Sequence, residues 1–246
     1  MTQNRLAGKT AFVTGASSGI GEAIAYRFCE EGAEVVGCGR RERAELRHER
    51  FSYFRADLTL PEEVAAAMAA AGTRSGVLDI VVNCAGVTHT GSLATTDVET
   101  FAQIFKVNVE GVFNVCKAAL PYLHKSRGAS IINVASDLGL KSLAERIAYC
   151  PSKAALIMLT RCIAQEEAPG VRANCILPGL VETPMLQQRF EQAADSAALR
   201  DALANMYLMK RMGTLDDMAS AAVFLASDES SFITGSSLEV CGGRLA

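Results

Sequence analysis

A tyrosine and a lysine four residues apart, Tyr149 and Lys153, form the pair in this sequence best suited to proton chemistry. On a helix, residues at i and i+4 are neighbours, so the Lys153 ammonium would lie beside the Tyr149 phenol. At about 5 Å and an effective dielectric of ~20, their attraction is roughly 3 kcal/mol, or about two pKa units. We therefore predict that Tyr149 is an acid/base whose pKa Lys153 lowers. For these residues alone, a solvated helix face is the alternative.

Short apolar runs alternate with helical patterns around this pair, which predicts an α/β fold whose parallel sheet is covered on both faces. The predicted strands are Thr10–Thr14, Ala33–Cys38, Phe51–Ala56, Leu78–Val82, Ala129–Ala135, Val171–Leu177 and Ser237–Cys241. The predicted helices include Leu60–Ala71, Phe105–Leu123, the segment from Tyr149 and Leu215–Ala226. Ligands of such sheets bind outside the carboxyl ends of the strands. Residues that directly follow strands are therefore candidates for a site.

A glycine-rich turn follows the first strand. Its sequence is Gly15-Ala-Ser-Ser-Gly19-Ile-Gly21, and an amphipathic helical pattern continues from it. Glycines let the backbone approach a ligand closely, and the free N–H groups of a helix N-terminus suit a pyrophosphate. We predict a dinucleotide site here; a glycine turn without a phosphate ligand is the alternative.

The second strand ends at Gly39, and Arg40 follows it. In dinucleotide-binding units, an acid at this place binds the ribose 2′-hydroxyl, whereas an arginine accommodates a 2′-phosphate. The sequence therefore favours NADP over NAD. However, Arg40 also opens a charged segment that continues to Arg50 and is equally typical of a solvated helix.

Further residues lie at predicted strand ends. They are Asp57 and Leu58, Asn83 to Gly86, Ser136, and Pro178 with Gly179. Asn108 lies near the start of the Phe105–Leu123 helix and off its apolar stripe, where an amide is more often solvated than functional.

Composition narrows the functional classes. The formal charge of −3 gives no electrostatic reason to expect nucleic acid or an anionic membrane as a partner. The polar amino-terminal residues do not resemble a signal peptide, and no apolar run is long enough for a membrane span. The eight cysteines lack a C-x-x-C pair. We expect reduced, mostly buried thiols in a cytoplasmic protein with no metal site, Cys150 being the one to watch for accessibility.

In their order and spacing, these motifs resemble the short-chain dehydrogenase/reductase family from about Leu6 to Gly243. The resemblance rests on Thr14-Gly-Ala-Ser-Ser-Gly-Ile-Gly21, Asp57-Leu58, Asn83-Cys-Ala-Gly86, Asn108, Ser136, Tyr149-x-x-x-Lys153 and Pro178-Gly179 with Thr183. It implies a single Rossmann domain over residues 1–246 with a seven-stranded parallel sheet. The polar segment 183–211 is then a possible substrate lid.

The resemblance also implies roles for individual residues. Tyr149 would be the general acid/base, Lys153 would lower its pKa and hold the nicotinamide ribose, Ser136 would hydrogen-bond the substrate oxygen, and Asn108 would hold a relay water. The implied cofactor-binding residues are Gly15, Ser17, Ser18, Gly19, Ile20, Gly21, Arg40, Asp57, Leu58, Asn83, Ala85, Gly86, Tyr149, Lys153, Pro178, Gly179, Val181 and Thr183.

Three positions depart from the family pattern. Cys84 stands where asparagine is usual, and Ser18 stands where NADP-preferring members often carry a basic residue, so phosphate recognition would depend mostly on Arg40. Asp137 follows Ser136, where an apolar or small residue is commoner. Its carboxylate either faces the pocket, favouring a hydroxyl-bearing or cationic substrate, or bonds to nearby backbone.

We therefore expect an NADP(H)-dependent oxidoreductase that interconverts a secondary alcohol and a ketone. The same reaction with NAD(H) is one alternative, and a non-catalytic dinucleotide-binding regulator is another. Apolar residues such as Leu138, Leu143, Ile147, Met185 and Leu186 suggest a partly apolar pocket for a small-molecule substrate. The broad stripe on Phe105–Leu123 favours a homo-oligomer, a tetramer or a dimer, although it is equally compatible with simple core packing.

Overall fold

The computed structural model describes residues 4–72, 76–191, 193 and 195–246, without the side chains of Met185, Gln188 and Arg189. Within these residues, seven strands form one parallel sheet in the order β3-β2-β1-β4-β5-β6-β7. They are β1 (Thr10–Thr14), β2 (Glu34–Gly39), β3 (Phe51–Arg55), β4 (Ile80–Asn83), β5 (Ala129–Val134), β6 (Val171–Pro178) and β7 (Ser237–Val240). The strand order reverses between β1 and β4, which opens a crevice at their carboxyl ends. The predicted seven-stranded parallel sheet is confirmed.

Helices cover both faces of the sheet. They are α1 (Gly19–Glu30), α2 (Pro61–Gly72), α3 (Val98–Phe105), α4 (Gly111–Leu123), α5 (Tyr149–Glu167), α6 (Pro184–Glu191), α7 (Ser196–Asn205) and α8 (Leu215–Ala226). A π-helical turn, Lys106–Glu110, joins α3 to α4. Short 3-10 turns lie at Asp137–Gly139 and Asp228–Ser230.

Alternate side chains of each central strand enter two separate cores, as expected for strands buried on both faces. Phe12 of β1 packs in the core formed with α2, α4 and α5. Its neighbours Ala11 and Val13 pack in the core formed with α1 and α8. The two cores fix the carboxyl ends of the strands at one edge of the molecule.

The segment proposed as a lid contains the two helices α6 and α7. Leu186, Phe190 and Met212 form a small separate core there, against which Leu180 and Leu199 pack. The predicted apolar contribution of Met185 concerns a side chain outside the described residues.

The prediction of one regular helix over Phe105–Leu123 is wrong in two respects. Helical backbone already begins at Val98, because the Asp97 carboxylate accepts a hydrogen bond from the Thr100 amide at 2.6 Å and so caps α3. The backbone then widens into the π-helical turn before α4. Insertions of this kind are frequent at functional sites, and this one contains Asn108.

The charged segment after Arg40 is not a helix. Residues 41–50 form bends and a turn between β2 and β3. The interpretation of Arg40 as the first residue of a solvated helix is therefore wrong.

The eight cysteines are all free. Cys29, Cys38, Cys116, Cys175 and Cys241 are buried, Cys84 and Cys150 are half-buried, and Cys162 is exposed. Burial raises the pKa of the Cys38 and Cys116 thiols to about 12, which keeps them protonated. The prediction of mostly buried thiols holds, but the most accessible thiol is Cys162 rather than Cys150. Among the described helices, none combines the length and apolarity needed to cross a membrane.

Candidate active site

The exits of β1, β2 and β4 are drawn together by backbone contacts. Gly15 N–H donates to the Cys38 carbonyl at 2.7 Å, and the Thr14 hydroxyl accepts from the amides of Cys84 and Ala85, each at 3.1 Å. Gly15 has φ +71°, and a Cβ at this residue would lie 2.9 Å from the Ala85 nitrogen. Only glycine fits there without strain.

The close backbone packing around Gly15 extends to the first turn of α1. A Cβ on Gly21 would lie 2.4 Å from the Gly15 carbonyl oxygen, so the turn and the helix are in direct backbone contact. We call residues 14–21 together with 84–86 the glycine cradle.

The amino terminus of α1 is suited to bind an anion. Its N-cap residue, Ser18, has extended backbone, and its side chain makes no capping hydrogen bond. The N–H groups of the first helical turn are therefore left for another acceptor, which fits a dinucleotide pyrophosphate. Gly19 has φ +62°, and the Thr183 methyl carbon lies 3.8 Å from the place of its missing Cβ. Thr183 thus lies at this end of the cradle.

Two arginines follow β2. Arg40 is exposed and its charge helps to lower the pKa of Asp57. Burial alone would raise the pKa of Asp57, but hydrogen bonds from Thr59 and this charge outweigh it. The Arg41 guanidinium donates to the Ser17 carbonyl at 3.0 Å. Arg41 was missed as a site residue because the spacing of the motif singles out only the residue directly after Gly39.

The predicted proton-transfer pair lies at the start of α5. Lys153 is 5% exposed, and its Nζ donates to the Val134 carbonyl at 2.9 Å while lying 5.8 Å from the centre of the Tyr149 ring. Burial lowers the pKa of Lys153 to about 8. The ammonium is thus held between the end of β5 and the phenol.

The expected lowering of the Tyr149 pKa is not found. Burial raises the pKa of Tyr149 above its ordinary value, the Ser136 hydroxyl lowers it, and the negative charge of Asp137 raises it again. Desolvation therefore outweighs the attraction calculated from spacing alone. The buried ammonium is directed to the Val134 carbonyl, and the phenol remains protonated at neutral pH.

Asn108 is buried, not solvated, with 1% of its surface exposed. Its amide accepts from the Val87 N–H at 2.8 Å and donates both to the Val87 carbonyl at 2.9 Å and to the Ser152 hydroxyl at 3.0 Å. A Cβ on Gly86 would lie 3.2 Å from Asn108 Oδ1 and 3.5 Å from Lys153 Nζ. The π-helical turn thus brings Asn108 beside Gly86 and Lys153, a placement that the helical periodicity did not predict.

Asp137 is bonded to side chains and not to nearby backbone. Its Oδ2 pairs with Arg244 Nη1 at 3.1 Å, and its Oδ1 accepts from the Ser136 hydroxyl at 3.1 Å. Ser136 Oγ also accepts from the Leu138 amide at 3.1 Å. The alternative of a carboxylate bonded to nearby backbone is therefore wrong. Arg244 was missed because it is 107 positions away in the sequence.

Several predicted cofactor-binding side chains are buried instead of facing the crevice. Asn83 donates to Asn133 Oδ1 at 2.8 Å, and Leu58 is buried against Gly111. Val181 packs in the α1/α8 core, and a Cβ on Gly179 would lie 2.9 Å from the Tyr207 ring. The side chains of Leu58, Asn83 and Val181 are therefore packed inside the protein. Pro178 ends β6, and Ile20 packs partly against the α1/α8 core.

A parallel sheet with this crevice, an uncapped helix after a glycine turn, and a tyrosine, lysine and serine at the same edge defines a dinucleotide-dependent oxidoreductase of the Rossmann type. A family model described as enoyl-(acyl carrier protein) reductase matches residues 15–244. L-fucose dehydrogenase from Oryctolagus cuniculus is 41% identical, over 97% of this chain and 86% of its own length. The 2-(R)-hydroxypropyl-CoM dehydrogenase of Xanthobacter autotrophicus is 36% identical, over 97% and 99%.

The fold of this chain is also similar to that of a solved structure. Ligand-free aldohexose dehydrogenase from Thermoplasma acidophilum has 34% sequence identity and a TM-score of 0.93, covering 98% of this chain and 96% of that one. The chain belongs to the short-chain dehydrogenase/reductase family, whose enzymes act on CH–OH and C=O groups with a nicotinamide cofactor. This membership sets aside the alternative of a non-catalytic regulator.

Proposed function

We propose that the protein is an NADP(H)-dependent oxidoreductase that interconverts a secondary alcohol and a ketone, with Tyr149 as the general acid/base. The observation that carries the proposal is the placement of Ser136, Tyr149 and Lys153 at the sheet edge that also contains the glycine cradle. The cradle fits a dinucleotide because the first turn of α1 is uncapped and close backbone approach is preserved at its glycines.

A bound nicotinamide would supply the hydride acceptor for a carbinol carbon or the hydride donor for a ketone. In the reduction, the protonated Tyr149 Oη donates its proton to the ketone oxygen. In the oxidation, Tyr149 must first release that proton through the relay described below, and the resulting phenolate takes the proton of the alcohol oxygen. Ser136 Oγ hydrogen-bonds that oxygen as its charge develops. Lys153 Nζ stabilises the phenolate that forms on Tyr149, which matters because burial alone disfavours that charge.

Asn108 is proposed as the residue that sets the proton relay from Lys153 to solvent. Its amide clamps Val87 through two hydrogen bonds and so fixes the chain at Gly86, directly beside Lys153. The segment 183–211 is proposed as a substrate lid, because Thr183 at its start contacts the cradle at Gly19.

NADP is proposed over NAD because no acid stands at the end of β2. Gly39 ends that strand, Arg40 is exposed next to it, and Arg41 lies on the cradle at Ser17. The loop that follows forms an open cleft of about 430 Å³ lined by Arg41, Glu42, Arg43, Ala44, Glu45 and Arg47. A guanidinium at this place is suited to a 2′-phosphate.

The test is a side-by-side titration of the purified protein with NADPH and NADH, followed by nicotinamide fluorescence. The chain has no tryptophan, so the signal is free of indole emission. NADPH should bind at least about tenfold more tightly, a difference of about 1.4 kcal/mol. A preference for NADH would refute the cofactor assignment, and no binding of either would refute the proposed function.

A panel of alcohols then tests the reaction with NADP: L-fucose, D-glucose, 2-hydroxypropyl-coenzyme M and cyclohexanol. The first three follow from the names of the similar dehydrogenases, and cyclohexanol represents a simple secondary alcohol. The one oxidised fastest is called the reference alcohol below. If the cofactor binds but none of the four is oxidised, the ketone products are tried with NADPH before the reaction is abandoned.

We also propose that the protein is a homo-oligomer, a tetramer or a dimer. Phe113 of the predicted apolar stripe is 49% exposed, and Phe101 on α3 and Met158 on α5 are 39% and 55% exposed, so apolar side chains of all three helices lie at the surface. Light scattering should give two or four chain masses, and Met158→Lys should lower that number. A monomeric wild-type protein would overturn this proposal.

A further inference from the structure

The Asp137 carboxylate has both oxygens engaged by side chains. One accepts from the Ser136 hydroxyl and the other pairs with Arg244, each at 3.1 Å. The side chains of Asp137 and Arg244 are only 3% and 11% exposed. A buried ion pair of this kind is costly to desolvate, so its direct contact with a site serine calls for a functional account.

Arg244 is held in place by the chain around it. Gly242 and Gly243 have φ +57° and +79°, a left-handed turn that brings the chain back after β7. The Arg244 guanidinium lies 5.8 Å from the centre of the Tyr207 ring, and the Tyr207 hydroxyl accepts from the Leu180 amide at 2.8 Å. The segment that ends the possible lid therefore supports the ion pair.

The Asp137–Arg244 pair affects Ser136 because the Ser136 hydroxyl can form only a few hydrogen bonds. A hydroxyl has one hydrogen and two lone pairs. The hydrogen is directed to Asp137, one lone pair accepts from the Leu138 amide, and the same hydroxyl lies within hydrogen-bonding reach of Tyr149, whose pKa it lowers. With its hydrogen held there, Ser136 cannot also donate to a substrate oxygen, so the strength with which Asp137 holds it decides what the serine does.

We propose that Asp137 and Arg244 are positioning residues for Ser136: by neutralising Asp137, Arg244 lets the Ser136 hydrogen turn to the substrate oxygen and limits the negative charge beside Tyr149. This inference rests on the proposed function for its catalytic part. Its electrostatic part, the charge beside Tyr149, stands independently of any substrate.

The charged and titratable groups around Tyr149 come from several elements. Lys153 and Cys150 lie on its own helix, Arg146 precedes that helix, and Asp137, which is paired with Arg244, follows β5. Of these, Asp137 is the carboxylate that raises the pKa of Tyr149, and Arg146 opposes it. Removing the Arg244 charge therefore leaves Asp137 uncompensated next to the phenol.

The first experiment follows tyrosinate absorbance against pH. The chain has five tyrosines, so the Tyr149 signal is obtained by subtracting the titration of the matching Tyr149→Phe protein in each background. Arg244→Gln should move the Tyr149 transition to higher pH by about one unit, and Asp137→Asn should move it to lower pH by a similar amount. The double variant should titrate close to the wild type, because the two opposite charges are lost together and their effects on the phenol cancel.

Two further proteins exclude a purely structural effect. Arg244→Lys keeps the charge and should restore most of the wild-type titration. Arg5 forms an ion pair with Glu229 at an N···O distance of 2.5 Å, and this pair lies away from the site. Arg5→Gln breaks it and should leave the Tyr149 titration unchanged. If Arg244→Gln does not fold, the comparison of Asp137→Asn and the double variant with the wild type still decides, because neither contains an unpaired carboxylate.

The second experiment measures turnover of the reference alcohol. Arg244→Gln should lower kcat on the order of tenfold to a hundredfold with KM changed by less than about threefold. The double variant should recover part of that loss. An unshifted Tyr149 titration in both Arg244→Gln and Asp137→Asn would overturn the inference, as would an equal shift in Arg244→Gln and the double variant. If the wild type oxidises no alcohol and reduces no ketone, the proposed function fails, but the titration still tests the pair.

Discussion

The glycine cradle and the Asp137–Arg244 pair lie at the same edge of the sheet but are built by different means. The cradle is made of backbone contacts between neighbouring strand exits, such as Gly15 N–H on the Cys38 carbonyl. The pair is made of two charged side chains from distant parts of the chain, buried beside Ser136. The cradle is suited to a dinucleotide because its glycines have no side chains in the way. The Asp137–Arg244 pair acts on the Ser136 hydroxyl through charge.

This difference has a physical consequence for each region. In the cradle, a Cβ added at Gly15 or Gly21 would collide with backbone, so the expected failure there is steric and affects binding. Around Ser136 and Tyr149, shape tolerates substitution but charge does not, because the low dielectric strengthens each uncompensated interaction. The variants below are expected to separate binding from proton transfer accordingly.

Among the binding variants, Gly21→Ala is the largest expected disturbance, and it breaks the cradle alone. Its Cβ would lie 2.4 Å from the Gly15 carbonyl oxygen, so the turn must move away from α1. We expect NADPH affinity to fall on the order of a hundredfold and unfolding free energy to fall by about 1–3 kcal/mol. Fluorescence titration and urea unfolding measure the two effects.

Gly128→Ala is the matched control, because a Cβ there meets no atom within 4 Å. Its NADPH affinity should equal that of the wild type. Equal affinities for Gly21→Ala and Gly128→Ala would show that close backbone approach in the cradle does not serve binding.

Lys153→Met probes the charged region through stability. Since burial lowers the pKa of Lys153 from 10.5 to about 8, the folded state disfavours the ammonium. The full cost is present below pH 8, and it disappears as pH rises from 8 to 10.5. Relative to Lys153→Met, the wild type should therefore gain about 3 kcal/mol of stability over this range.

Urea unfolding of both proteins at pH 7.5, 9 and 10.5 measures this difference while the buried thiols, common to both, cancel. A difference between the two proteins that stays constant with pH would mean that Lys153 is not desolvated. Lys153 would then also not act as a buried charge beside Tyr149.

Arg40→Asp is the smallest expected effect and acts at the rim of the cradle. NADPH affinity should fall about tenfold, because an exposed guanidinium is replaced by a carboxylate facing the 2′-phosphate, while NADH affinity should hold or improve. Arg43→Asp changes the net charge equally and lines the neighbouring cleft. If NADPH affinity falls equally in Arg40→Asp and Arg43→Asp, the loss comes from the change in net charge and not from a contact between Arg40 and the 2′-phosphate.

The same contrast explains how much the sequence could predict. The strands and the glycine turn were predicted correctly, because they depend on local periodicity and on short glycine spacings. The helical start of α5 at Tyr149 was predicted for the same reason.

The rest depended on tertiary contacts that spacing does not reveal. Asn108 is buried because a π-helical turn rotates it towards Val87, whereas regular periodicity places it off the apolar stripe. The pKa of Tyr149 is raised because burial outweighs a nearby ammonium, and burial is not visible in a five-residue motif. The partner of Asp137 is 107 positions away, so no local pattern could identify it.

The most direct test of the account is Tyr149→Phe, with NADPH affinity and single-turnover oxidation of the reference alcohol measured on the same protein. The phenol oxygen is predicted to move the proton while the cradle binds the cofactor. NADPH affinity should therefore stay within about threefold of the wild type, while hydride transfer should slow on the order of a thousandfold. Tyr26→Phe, on an exposed part of α1, should leave both unchanged. Hydride transfer within tenfold of the wild-type rate in Tyr149→Phe would contradict the account, because the acid/base would then lie elsewhere.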